Sequence, residues 1–158
     1  MIWMIEANPV HESTLRNIVE NTDDQYLMAT LGDSDREVTF YTRKDKPHTE
    51  GASYYKESNY WDIPQLVQMS TVKLQPLDDI FEDDAHFQII KLDTQGSELD
   101  ILRGGSSLIE KADVIIMEIS YIEFNEGAPT AEETIDYMKT IGFDEYIEIG
   151  DHFTNTPK

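Results

Sequence analysis

The chain has 158 residues, the size of one domain with a hydrophobic core of its own. Its 32 acidic and 12 basic residues give a net charge of −20, which disfavours binding to nucleic acid or to an anionic membrane. The absence of cysteine excludes disulfides and thiolate chemistry, and no apolar run approaches the ~20 residues of a membrane span. The opening residues do not match a signal peptide, so we expect a cytoplasmic protein.

The first half of the chain alternates between strand and helix patterns. Short β-prone runs predict strands at residues 2–5, 26–31, 37–42 and 70–74. Asn8 and Pro9 suit the N-cap and first position of a helix that extends to about Asn21. Residues 43–68 have no regular period, and we expect a long loop of the kind that is often functional.

The second half centres on the apolar, β-prone residues 87–92, which predict a strand buried on both faces of a parallel sheet. Ser97 is in position to cap a helix over residues 97–103, and Gly104 and Gly105 end that helix. Since this strand is followed by a tight turn and a helix, its carboxyl end is where a ligand is expected.

Further elements follow in the same alternation. Ser106 or Ser107 is expected to cap a second short helix, and residues 114–119 predict another buried strand. Thr130 and Glu133 have the spacing of a capping box at the start of the next helix.

The alternation predicts an α/β fold with a parallel, doubly wound sheet. One domain is expected over residues 1–150, with a final strand at residues 146–149. Residues 151–158 are expected to form a poorly ordered tail.

Acidic residues stand at the ends of both buried strands, so Asp93 and Glu118 are candidate catalytic residues. Asp93 could act as a general base on a hydroxyl, hold the amino group of a cofactor, or cap the next helix. Glu118 could share acid–base work with Asp93 or bind a metal through oxygen. The four histidines are too scattered to predict a zinc site.

Lys91 is unusual within an apolar strand, because a buried lysine is rare unless it is paired. Asp93 lies two residues further on and therefore on the same strand face. The pair could be structural, or it could tune the pKa of Asp93. We include Lys91 among the candidate catalytic residues.

The segment Lys91-x-Asp93-x-Gln95-Gly96-x-Glu98, followed by Leu102-x-Gly104, resembles the core signature of the FkbM-type methyltransferases. Weaker similarity covers most of the chain, at Ile5-Glu6-Ala7-Asn8-Pro9, Leu31-Gly32-Asp33, Leu77-Asp78-Asp79 and Glu118. The resemblance implies a Rossmann-like class I methyltransferase fold with S-adenosylmethionine as cofactor. It also implies methyl transfer to a hydroxyl of a small molecule or sugar.

The resemblance also suggests which residues bind the cofactor. Glu6, at a strand end, is expected to accept hydrogen bonds from the cofactor ribose, although it could instead interact with the dipole of the following helix. Asp33 is expected near the adenine, or it could belong to an ordinary Gly-Asp turn. Thr94 completes the expected cofactor-binding set.

The chain contains no G-x-G-x-x-G stretch near its N-terminus. The resemblance therefore covers the family domain without its first strand, glycine loop and first helix. In the usual methyltransferase sheet that strand lies between the Glu6 strand and the Asp93 strand. We expect these two strands to pair directly or the chain to self-associate, with weak or absent cofactor binding.

Two classes of function remain open at this point. The chain is either an O-methyltransferase, whole or as its C-terminal part, or a non-catalytic Rossmann-like domain that binds a partner or, weakly, a nucleotide. In the long loop, Tyr54, Tyr55, Tyr60 and Trp61 could line an acceptor site or simply anchor the loop. His48 is a weak candidate for a base.

Overall fold

The computed structural model describes residues 1–48, 51–58 and 63–150. Its strands are β1 (Trp3–Glu6), β2 (Gln25–Met28), β3 (Thr30–Leu31), β4 (Glu37–Arg43), β5 (Val67–Gln75), β6 (Ile89–Leu92) and β7 (Val114–Met117). Its α-helices are α1 (Glu12–Val19), α2 (Glu98–Gly104), α3 (Ser106–Ile109) and α4 (Ala131–Thr140). Short 3-10 helices cover Pro9–His11, Pro64–Leu66 and Leu77–Asp79. In these ranges no helix combines the length and apolarity needed to cross a membrane.

The described strands form three small sheets. β1 pairs with β2 in parallel, and β6 pairs with β7 in parallel. In the third sheet β5 is central, parallel to β3 and antiparallel to β4. The α/β class with parallel strand pairs is therefore confirmed, whereas the expected continuous, doubly wound sheet is not what these strands form.

The expected direct pairing of the Glu6 strand with the Asp93 strand is wrong. Within the described residues β1 pairs with β2 and β6 pairs with β7. Aromatic side chains link the β1–β2 pair to the β6–β7 pair instead. The ring centroid of Phe81 lies 5.2 Å from that of Trp3 in β1 and 5.0 Å from that of Phe87, just before β6. Self-association stays a prediction.

Helix α2 lies at the centre of the hydrophobic core. Leu99, Ile101 and Leu102 are almost completely buried, because the helix is covered on most of its circumference. Gly104, at its last position, lies so close to β3 and the turn after it that an added Cβ would overlap the carbonyl oxygen of Gly32. The glycine therefore sets the distance between α2 and this turn.

The β6–β7 sheet is covered on one face. Ile90 and Leu92 of β6 face the core, whereas Ile89 on the opposite face is 62% exposed. Val114 and Ile116 of β7 are exposed on that same outer face. The prediction that both strands are buried on both faces is wrong, because no described element covers the outer side.

Two predicted helix caps are confirmed. Thr130 and Glu133 form the reciprocal capping box of α4, and the Asn8 side chain accepts a hydrogen bond from the Val10 N–H at the start of the Pro9–His11 turn. Helix α1 ends at Val19, two residues before the expected end.

The predicted serine caps are wrong in their chemistry. Ser97 precedes α2, but its hydroxyl donates to the carbonyl of Thr94 and caps no helix N–H. At α3 the Asp78 carboxylate accepts from the N–H groups of Ser107 and Leu108, so a residue about thirty positions upstream replaces a local cap.

The predicted strand at residues 146–149 is also wrong. These residues have no strand structure, and Tyr146, Ile147 and Ile149 are exposed. The predicted strand at residues 26–31 is divided at Ala29, whose N–H donates to the backbone carbonyl of Glu6. Of the predicted long loop, residues 49–50 and 59–62 lie outside the described residues, as does the tail at 151–158.

Gly104→Ala should destabilise the fold although alanine favours a helix by ~1 kcal/mol over glycine. The new methyl group would overlap the Gly32 carbonyl and force α2 away from the turn, so we expect a loss of ~1–3 kcal/mol in the free energy of unfolding. Urea denaturation would measure it. Gly150→Ala is the control, because a Cβ there meets no atom of a described residue within 4 Å. Equal stabilities for the two variants would contradict the close contact.

Candidate functional site

A group of polar side chains lies where β6 and β7 end, and we call Lys91, Asp93, Gln95 and Glu118 the carboxyl cluster. The parallel register pairs Leu92 with Met117, so the next acidic residues of the two strands are neighbours. Lys91 Nζ lies 2.7 Å from Asp93 Oδ2, and Gln95 Nε2 donates to Asp93 Oδ1 at 3.3 Å. The two predicted strand-end carboxylates and the predicted lysine are therefore together.

Lys91 differs from its prediction in one respect. Its side chain is 64% exposed, because it stands on the uncovered face of β6. The same-face pairing with Asp93 is confirmed by the ion pair. An exposed ion pair of this kind stabilises a fold by less than ~1 kcal/mol, so its main effect is on the position and charge of Asp93.

The two carboxyl groups of the cluster have opposite pKa shifts. The hydrogen bond from Lys91, supported by its charge, lowers the pKa of Asp93 below the usual value. Burial raises the pKa of Glu118, and the negative charge and hydrogen bond of Asp93 raise it further. Asp93 therefore stays ionised, and Glu118 is the member of the pair that takes up a proton more readily.

The turn between β6 and α2 is fastened by Glu98. Its buried carboxylate accepts from the Thr94 N–H at 2.8 Å, the Thr94 hydroxyl at 3.1 Å and the Gly96 N–H at 3.0 Å. Gln95 and Gly96 both have positive φ, 58° and 101°, so the turn needs such support. Burial raises the pKa of Glu98 despite these hydrogen bonds.

Asn125 holds the same turn from the opposite side. Its buried side-chain amide donates to the carbonyl of Gln95 at 2.7 Å and to the carbonyl of Tyr55 at 3.0 Å. Sequence reasoning gave Asn125 no role, since nothing local marks a residue that joins segments 30 and 70 positions away. Glu98 was noted only as part of the signature.

The tyrosines of the long loop anchor it to α2. The hydroxyls of Tyr54 and Tyr55 both donate to Asp100 Oδ2, at 3.0 and 2.7 Å. Burial and the negative charge of Asp100 raise the pKa of both phenols. The anchoring alternative therefore describes these two residues, while Tyr60 and Trp61 lie outside the described residues.

The residues expected at the cofactor are distributed over separate places. Glu6 is the last residue of β1, and its Oε1 accepts the Asn8 N–H at 2.7 Å. Asp33 is exposed and binds Ser34 and Arg36; burial alone would raise its pKa, but these two partners lower it. Thr94 is bound to Glu98, within the turn that follows β6.

Two other predicted features are described by their contacts. The ring of His48 packs against that of His11, with 5.6 Å between the ring centroids. Among the described residues no group of three or more His, Cys, Asp and Glu side chains is arranged to hold a metal ion. The Asp93–Glu118 pair supplies only two carboxyl groups, which is fewer than such a group requires.

The chain was compared with known protein families, curated proteins and solved structures. The model of the methyltransferase FkbM domain matches residues 1–145. No curated protein and no solved structure matches the chain.

Glu118→Gln should stabilise the fold at high pH. A raised pKa means that the folded state favours protonated Glu118, so this contribution is complete below the unfolded pKa and is lost as pH rises through the folded pKa. The neutral amide of glutamine does not ionise, so the variant avoids the stability that Glu118 loses as pH rises. Its melting temperature should exceed that of the wild type at about pH 8 and equal it at about pH 4.

Glu20→Gln is the matched control for this measurement, because Glu20 is exposed and its substitution changes the net charge equally. Thermal unfolding of both variants across the pH range would check the result. A gain that is equal in the two variants would assign it to net charge and contradict the specific interaction with Asp93.

Proposed function

Because the chain belongs to the FkbM methyltransferase family, we propose that it is an S-adenosylmethionine-dependent O-methyltransferase acting on a hydroxyl of a small molecule or sugar. The observation that carries this proposal is the carboxyl cluster at the ends of β6 and β7, where Asp93 is held ionised beside Glu118. Ligands of parallel α/β sheets bind at this edge.

Transfer to oxygen requires that the acceptor hydroxyl lose its proton as its oxygen forms the new bond to carbon. When bound, S-adenosylmethionine would supply an electrophilic methyl group on a sulfonium, with the neutral thioether as the leaving group. Asp93 is suited to accept the hydroxyl hydrogen bond and orient the attacking oxygen, because Lys91 fixes its carboxylate. The proton then passes to the Asp93–Glu118 pair, in which Glu118 is the stronger base.

Among the residues expected at the cofactor, Glu6 has the chemistry and position that suit the ribose. This half-buried carboxylate belongs to the last residue of β1 and uses one oxygen for the Asn8 N–H, which orients the group. A carboxylate so held is suited to accept ribose hydroxyls. Asp33 and Thr94 are already bound to neighbouring side chains, so we give them only supporting roles at the cofactor.

Those internal hydrogen bonds favour a second candidate function. If Asp33 and Thr94 serve only their own turns, the chain is a Rossmann-like binding domain without turnover. Calorimetric titration with S-adenosylhomocysteine distinguishes the two. Saturable binding supports the methyltransferase, and its absence at millimolar ligand supports the binding domain.

Glu6→Gln should weaken binding of S-adenosylhomocysteine by ~1–3 kcal/mol, because the charged acceptor of the ribose hydroxyls is lost. Calorimetry on the wild type, on this variant and on Glu20→Gln would measure the change against a control of equal net charge. Identical affinities in all three proteins would reject Glu6 as a cofactor ligand.

Asp93→Asn should lower the methyl-transfer rate by ~10²-fold or more, because the amide keeps the shape of the side chain but removes the negative charge that holds the hydroxyl hydrogen bond and, with Glu118, takes up the proton. The readout is transfer of a labelled methyl group to a panel of sugars and small hydroxyl compounds. Asp113→Asn is the control, since Asp113 precedes β7 at the opposite end of the same sheet. Wild-type turnover by the Asp93 variant would rule out the assigned role.

A further inference from the structure

A cavity of about 290 Å³ lies away from the carboxyl cluster. Residues 7–10 form one wall, and the hairpin of β4 and β5 forms the other. None of the four residues of the carboxyl cluster lines it. Its volume is near the lower end of the range for small-molecule sites, whereas a depression of about 20 Å³ beside α3 would hold a single water.

One face of the hairpin supplies the longer wall. The antiparallel register places Phe40 opposite Ser70 and Thr42 opposite Gln68, so these side chains share a face. Phe40 is only 3% exposed and closes the base of this wall, so the apolar surface open to a ligand comes from the half-buried Val10 and the exposed Pro47. The cavity therefore combines an apolar surface with hydroxyl and amide groups along its length.

The two walls are joined by fixed contacts. Asn8 is buried, accepts from the Val10 N–H through its Oδ1, and donates through Nδ2 to the carbonyl of Pro47 at 3.0 Å. The ring contact between His11 and His48 joins the same two segments. The cavity is thus held open by the fold itself, which reduces the entropy that a ligand loses on binding.

The charge of the cavity is opposite to that of the chain. Arg43 and Lys44 are the charged side chains among its described lining residues, in a protein with a net charge of −20. Arg43 binds the Asp45 carboxylate with two nitrogens, at 2.9 and 2.6 Å. Lys44 forms no ion pair with another described residue, so its ammonium is the uncompensated cation of the cavity.

We propose that this cavity binds an amphipathic organic anion, with its apolar body against Val10 and Pro47 and its carboxylate, sulfonate or phosphate group at Lys44. Apolar contact supplies most of the binding free energy, and the lysine selects for negative charge. The site is distinct from the carboxyl cluster, because it contains neither Asp93 nor Glu118.

A pair of fluorescent probes tests the proposal. 1-Anilinonaphthalene-8-sulfonate carries one negative charge, and N-phenyl-1-naphthylamine is its neutral counterpart. Lys44→Gln should weaken binding of the sulfonate probe by about fivefold, the scale of an exposed ion pair, and leave the affinity of the neutral probe unchanged. Lys46→Gln is the control, because Lys46 is a neighbouring exposed lysine that does not line the cavity. Equal sulfonate affinity in the two variants would overturn the proposal.

A second variant and a competitor locate the probe. Ser70→Phe places an aromatic ring opposite Phe40 and should abolish binding of both probes while the circular dichroism spectrum stays that of the wild type. Unchanged probe binding in this variant would place the probes elsewhere, such as the exposed face of β6 and β7, and reject the site. Displacement of the sulfonate by S-adenosylhomocysteine would assign the cavity to the cofactor and likewise overturn the proposal. Retention of the probe in its presence supports a separate anion site.

Discussion

The buried carboxylate of Glu98 is the interaction on which the geometry of the candidate site depends. It accepts three hydrogen bonds from the turn between β6 and α2, at two residues that flank a non-glycine residue with positive φ. Isolated burial of a carboxylate is costly, so this arrangement persists because every accepted bond is close and the helix that carries Glu98 is itself in the core. The position of Asp93, directly before the turn, follows from it.

Around this turn the structure is assembled by contacts between distant segments. Asn125 joins the turn to the long loop, and Asp100 binds both loop tyrosines, so the loop is tied to the same helix that carries Glu98. The candidate site and the loop beside it therefore share one support. A change in the packing of α2 would be transmitted to both.

The features that were predicted correctly are those that depend on near neighbours in the chain. The capping box of Thr130 and Glu133 and the Asn8 cap are complete within three residues. The pairing of Lys91 with Asp93 follows from the two-residue period of a strand. The α/β class follows from the alternation of apolar runs, and the family was identified from a signature that lies within fourteen residues.

The features that were predicted wrongly depend on contacts between segments that are distant in the sequence. An apolar run such as β6 has the same composition whether one face or both are covered, so the exposure of Ile89 and Lys91 could not be inferred from it. The cap of α3 comes from Asp78, and the partner of both tyrosines is Asp100; these residues lie about 30 and 45 positions away in the chain. A local pattern contains no signal for such contacts.

The division of the strands into three sheets has a consequence for how the molecule opens. In a continuous sheet, backbone hydrogen bonds link every strand to the next, and the strands tend to separate together. Here the β1–β2 pair meets the rest through side chains such as Trp3 and Phe81, whereas α2 is enclosed on nearly all sides. Sub-global opening of the β1–β2 pair therefore breaks no ladder to β6, and its amides should exchange with deuterated solvent sooner than those of Ile101 and Leu102. We therefore expect Glu6 to belong to a segment that opens before the segment to which Asp93 is tied.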